Sequence, residues 1–151
     1  MHISFPYENF EGLEIPENFS AHLFDLPENG TDLSNADIVR QAMSSSTGCK
    51  RLCELSAGKK RVLIVTDDIH RPTPVSEFID VVLDDLFQAG VKEENIEFMM
   101  ALGAHRPMTE KEMAQKLGAD VVERFNVYNH NWDNEDSLEF IGDTAQGVRS
   151  G

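Results

Sequence analysis

The sequence predicts an α/β fold: a Rossmann-like, mostly parallel sheet flanked by helices, with a peripheral N-terminal extended arm or hairpin. Three observations predict it. First, an apolar or near-apolar run from Val62 to Thr66 breaks abruptly into Asp67, Asp68, His70 and Arg71, then closes on Pro72 and Pro74. A β-branched run that short reads as a strand buried on both faces, the usual sign of a parallel sheet. Second, two further apolar segments end the same way. Ile96 to Leu102 runs into Gly103, Ala104, His105 and Arg106, and Phe125 to Tyr128 into Asn129, His130, Asn131 and Trp132. Third, the stretch between the first two strands has helical periodicity, which makes a strand–helix–strand unit with an expected right-handed crossover. Ligands in open α/β sheets bind beyond the carboxyl ends of the strands. Three polar, histidine-bearing loops therefore converge on one edge, where the chemistry is expected.

The elements follow in order. Met1 to about Asn29 alternates short apolar runs with Pro6, Pro16 and Pro27. Its two pieces, HISFPYENFEGLEI and NFSAHLFDL, read as a peripheral arm or hairpin, because so many prolines exclude a long central strand. Asp32 or Ser34 caps a helix over Ala36 to Met43. A second short helix runs from about Lys50 to Ser56 and ends at Gly58. After Pro74, the residues Val75, Phe78, Ile79, Val82, Leu83, Leu86 and Phe87 trace one apolar stripe, leaving Glu77, Asp80, Asp84 and Asp85 to face water. Thr109 and Glu112 stand at capping-box spacing before a helix that runs to Leu117. A fourth strand is expected over Leu138 to Ile141, followed by a polar tail, GDTAQGVRSG, with no closing element. Residues 1–151 thus read as a single domain, a lead-in over 1–58 and a βαβ core over 59–147. The abrupt end leads to the expectation that the chain is a fragment.

Bulk properties exclude several classes. The 151 residues carry a net charge of −14, and the densest cationic run is Lys59-Lys60-Arg61. That balance disfavours nucleic acid and anionic membrane as partners. No apolar stretch approaches the roughly 20 residues of a membrane span, and MHISFPYENF is not a signal peptide. Cys49 and Cys53 share a helix face without a third or fourth ligand nearby, so they read as reduced thiols in a cytoplasmic protein.

Among the charged residues, Asp68 and Arg71 read either as a loop ion pair or as parts of a site in which a stiffly held guanidinium grips a carboxylate. Asp67 and Asp68 do not form a proton-sharing pair, because adjacent residues at a strand end point apart. His105 follows two small residues that permit close approach of a ligand. Its imidazole suits proton transfer at neutral pH. Arg106 adjoins it. His130 and Trp132 either line the same crevice or support it, Trp132 by packing and His130 from behind. His70 is placed at the rim. No Cys, His and Asp spacing makes a zinc site, so no metal ligand is assigned. There is no G-x-G-x-x-G or Walker loop, which disfavours a dehydrogenase using a diffusible nicotinamide.

Taken together, VLIVTDDIHRPTP, ALGAHRPMTEKE, VVERFNVYNHNWDN and LEFIGDT, in this order and spacing, resemble the N-terminal domain of the nickel-dependent lactate racemase family, from about Phe5 to Gly147. In that family the turn usually reads D-I-T-R-P and the later loop G-T-H-R; here His70 and Ala104 stand in place of the threonines. The resemblance implies an isomerase that inverts a 2-hydroxy acid by hydride transfer to a nickel-pincer nucleotide, with two histidines moving the hydroxyl proton. His105 matches one of the two. Arg71 matches an arginine that holds the substrate carboxylate, and Asp68 an acid assigned to positioning. The second histidine, the lysine that tethers the cofactor and the nickel-ligating histidine belong to a C-terminal domain, the expected partner of this one. The fragment is expected to be inactive alone. The alternative is a noncatalytic carboxylate-binding or assembly module of the same fold.

Overall fold

The computed structural model describes residues 1–4, 11–22, 24, 31–134, 136, 138–147 and 149–150. The chain divides into two compact units, Met1–Asp32 and Leu33–Gly151. In the first, β1 (His2–Ile3) pairs antiparallel with β2 (Leu13–Glu14). Gly12 makes that pairing possible: it sits at φ +103°, and a Cβ there would meet the carbonyl oxygen of Ile3 at 2.5 Å. The expected hairpin therefore forms within the first apolar piece. The described residues of the second piece, 18–22 and 24, carry no strand.

In the second unit, α1 (Asn35–Ser44) starts at Ser34, whose hydroxyl accepts the N–H of Asp37 at 3.1 Å. The short α2 (Leu52–Ser56) leads into β3 (Val62–Asp67). A 3-10 turn over Val75–Glu77 then precedes α3 (Ile79–Gln88), which returns to β4 (Ile96–Ala101). The capping box at Thr109 and Glu112 opens α4 (Glu110–Leu117). A further helix, α5 (Ala119–Arg124), follows directly and leads to β5 (Asn126–Asn129). The sequence reading had no element there, because a helix of this length leaves too few turns for a periodicity to register.

The sheet is three-stranded and parallel, in the order β3-β4-β5. Two successive right-handed crossovers stepping the same way place their helices on the same face. Burial agrees. Ile96, Phe98 and Met100 point into a core shared with Ile79, Leu83, Leu86, Leu117, Val121 and Phe125. Phe98 meets Phe125 edge-on at 5.3 Å between ring centroids. Among the described residues of this unit the other face carries no such layer. Leu63 is 46 % and Val65 54 % exposed, and Tyr128 also lies open. This corrects the expectation that β3 is buried on both faces: its continuous apolar run is covered on alternate residues only.

Two more expectations change. Asp85 does not face water. It is buried on α3 beside Val81, accepts the N–H of Cys53 at 2.8 Å, and lies 3.7 Å from Arg51. Residues 138–141 form no strand, and Phe140 and Ile141 are exposed. The tail closes instead on itself, β6 (Gly142–Asp143) pairing antiparallel with β7 (Arg149–Ser150). Among the described residues no helix is long and apolar enough to cross a membrane.

Candidate functional site

Two turns at the carboxyl edge of the sheet build the site. The first follows β3. The Asp67 carboxylate accepts the Thr73 hydroxyl at 2.6 Å and pairs with the Lys116 ammonium at 2.9 Å. Lys116, only 4 % exposed, also donates to the carbonyls of Arg71 (2.9 Å) and Thr73 (3.0 Å). An ammonium has three hydrogens, and these contacts use them all. Reaching up from α4, Lys116 thus holds both ends of the proline turn that presents Arg71. Burial raises the Asp67 pKa, but the Thr73 hydrogen bond and Lys116 outweigh it, and the carboxyl lies below its ordinary value.

Asp68 points the other way, into the protein, and is 3 % exposed. One carboxylate oxygen accepts the His70 N–H at 3.0 Å. The other is hydrogen-bonded by Nδ1 of His105 and lies 3.4 Å from Nδ1 of His70. Burial pushes the Asp68 pKa up; the hydrogen bonds from His105 and His70 more than reverse this, leaving it lowered. An ionised carboxylate only accepts, so His105 carries its proton on Nδ1 and leaves Nε2 as the basic nitrogen.

The second turn follows β4. The His105 N–H closes on the Leu102 carbonyl at 3.0 Å, with Gly103 at φ +56° in the left-handed region that favours glycine. Parallel pairing of Asp67 with Ala101 brings the two turns side by side. Between them is a cleft of about 220 Å³ lined by Asp67, Asp68, Arg71, Gly103, Ala104 and His105, among others. Arg71 is exposed, and among the described residues no carboxylate pairs with its guanidinium. The Asp68–Arg71 loop ion pair, one of two readings of the sequence, is replaced by Asp68 bonded to the histidines.

The other expected site residues lie elsewhere. Arg106 forks onto Glu112 at 2.6 and 3.0 Å, which with Thr109 holds the Glu112 carboxyl down to about 2. The His130 N–H bonds the Met100 carbonyl at 3.0 Å, and Trp132 is exposed; neither lines the cleft. Two supporting residues escaped the sequence reading. One is Lys116, whose signal is its place beside Leu117 and three residues after Met113 on the buried stripe of α4. The other is Asn129, whose amide exchanges hydrogen bonds with the N–H and carbonyl of Met108 and so ties the His105 loop to β5.

Comparison with known proteins places this arrangement. Residues 8–150 match the family described as lactate racemase N-terminal domain. The lactate racemase of Thermoanaerobacterium thermosaccharolyticum is 33 % identical over 148 residues, covering 89 % of this chain and 34 % of that protein. The lactate racemase of Lactiplantibacillus plantarum is 27 % identical over 140 residues, covering 93 % and 31 %. The solved apoprotein structure of the Thermoanaerobacterium enzyme superposes with a TM-score of 0.69 at 34 % identity, over 83 % of this chain and 31 % of that one. A protein from Thermotoga maritima superposes at 0.57 with 26 % identity, over 74 % and 26 %. The chain spans about a third of the length of the curated relatives it matches.

Proposed function

We propose a function that proceeds from the chain's family: it belongs to the lactate racemase N-terminal domain family. It serves as the substrate-holding, proton-transferring domain of a 2-hydroxy-acid racemase. The observation that carries this reading is one cleft shared by a carboxylate-oriented imidazole and an unpaired guanidinium, His105 and Arg71.

Arg71 receives the substrate carboxylate as a fork held in place by Lys116. His105, its Nδ1–H bound to Asp68, presents Nε2 to the α-hydroxyl, takes its proton as the keto acid forms, and returns it as the hydroxyl is regenerated. Asp68 positions the ring and steadies its charged form. A nickel-pincer nucleotide, the cofactor implied by the family, would supply the hydride-accepting chemistry when bound. The residues present do not fit its anchorage. Lys116 has no ammonium hydrogen free of a partner, and Cys49 and Cys53 lie outside the cleft. The cofactor and a second proton-transferring histidine are assigned to the C-terminal domain, and no further step is derived through them.

The test is racemisation of L- and D-lactate, and of longer 2-hydroxy acids, by the natural-length protein produced with its cofactor-synthesis machinery. His105→Ala should lower kcat by about 10²–10⁴, while Arg71→Ala should chiefly raise KM. The α-deuterium should stay on the product. The 151-residue chain alone should show no turnover. Loss of the label to water would replace hydride transfer with α-proton abstraction. A noncatalytic carboxylate-binding module needs Arg71 but not His105, so full activity in His105→Ala, or none in any variant, would favour that alternative.

A further inference from the structure

The two turns also bring together three donors of the kind that hold first-row transition metals. We propose that Asp68, His70 and His105 form a binding site for a divalent transition-metal ion, with Zn²⁺ as the expected occupant.

One carboxylate oxygen of Asp68 and one ring nitrogen from each histidine lie within 4.8 Å of one another. Ligands about 2.1 Å from a shared tetrahedral Zn²⁺ are roughly 3.4 Å apart, so closing the site takes a movement of up to about an ångström, which the two half-exposed rings can make. The histidine rings lie 4.5 Å apart between centroids, tilted by 56°, and both direct Nδ1 at the same Asp68 oxygen. Neither residue is near the other in sequence: parallel pairing of β3 with β4 creates the cluster. Along the chain only Asp68 and His70 stand together, and the third ligand comes from 35 residues further on, which is why no complete ligand spacing is visible.

The parts differ usefully in rigidity. Asp68 is buried and fixed through its second oxygen by the His70 N–H, which makes it the anchor. The side chains of His70 and His105 are about half exposed, so the rings can adjust and an ion can enter from solvent. Two imidazoles and one carboxylate, with water in the fourth position, is a common donor set for borderline dications. Lys116 neutralises Asp67, leaving Asp68 as the carboxylate available to the ion. Among the described residues Arg71 is the one cation lining the cleft; being exposed, it can turn toward solvent. The net charge of −14 favours cation approach.

The site requires only this geometry. One consequence does rest on the racemase reading: a metal on His105 would draw on the imidazole assigned to proton transfer, so Zn²⁺ should inhibit turnover.

The experiment is a titration of ZnCl₂ into the 151-residue chain carrying Cys49→Ser and Cys53→Ser, which removes thiol binding. Calorimetry should give one equivalent bound, and the imidazole resonances of His70 and His105 should shift together in NMR spectra. His70→Gln and His105→Gln should each weaken binding at least about tenfold to a hundredfold, the range for loss of even an indirect supporting partner. His2→Gln, which removes the other histidine–carboxylate pair (with Glu14), should change nothing. Circular dichroism should show both cleft variants folded, since each replaces a half-exposed ring. No saturable binding, or affinity unchanged in either cleft variant, would overturn the proposal. Intact Zn²⁺ binding here, together with no racemisation of any hydroxy acid by the cofactor-loaded natural-length protein, would instead overturn the racemase reading and leave the metal site standing.

Discussion

Lys116 shows how much one side chain can organise. Its ammonium joins Asp67 to two carbonyls of the Arg71 turn from a nearly closed environment. Lys116→Met would keep the stem's packing but strand those acceptors, at a cost of about 1.5–3 kcal/mol, the value of a hydrogen bond to a charged group; urea denaturation measures it. The Asp67 pKa is lowered from 3.8, so this pair stabilises the fold above that pH and its contribution drains as pH falls through the lower folded value. The Thr73 hydrogen bond also lowers the Asp67 pKa, so Lys116→Met should weaken that acid-side dependence. At this scale the sequence was legible where chemistry is local. Arg71, Asp68 and His105 could be picked out because each sits just beyond a strand. Lys116 and Asp85 could not, since a buried charge on a helix looks like its solvated neighbours until its partner from another element is known.

Among the elements, α4 carries the clearest local signal. Thr109 and Glu112 exchange both bonds of the capping box, and Arg106 adds a fork to the same carboxylate. Thr109→Ala should lower stability by about 1 kcal/mol, read from the thermal midpoint. The Glu112 pKa is depressed from 4.5 to about 2. Its stabilisation is therefore complete above about pH 4.5 and is lost as the pH falls toward 2, so the stability profile of Glu112→Gln should be flatter across that window. The box was readable because all its parts lie within four residues. Helix α5 and the 138–141 segment were not. An apolar run such as Leu138 to Ile141 is a strand only if an edge accepts it, and in this chain β6 pairs with β7 instead.

For the molecule as a whole, the decisive feature is a sheet with helices on one side. Substitutions on its two faces should differ sharply. Phe98→Ala, in the core, should cost about 3–5 kcal/mol, whereas Val65→Thr, on the open face, should stay within about 0.5 kcal/mol; chemical denaturation of both variants checks the contrast. The three strands and the βαβ connectivity were legible, because periodicity switches from strand to helix and back. The uncovered face was not, because Leu63 and Val65 look the same in sequence whether or not a second layer lies over them. The site was half legible for the same reason: its members were named, but the Asp68–His70–His105 cluster exists only through strand pairing.

The order β3-β4-β5 also has a meaning in time. Each strand pairs with the one made just before it, across a connection no longer than a helix or two, so the sheet can grow as the chain leaves the ribosome at about 5–20 residues per second. The Arg71 turn emerges first, and its clamp, Lys116, only some seconds later. During that interval Val62 and Ile64, which pack against the finished core, are bare apolar residues on a nascent sheet, the kind of surface that chaperones hold.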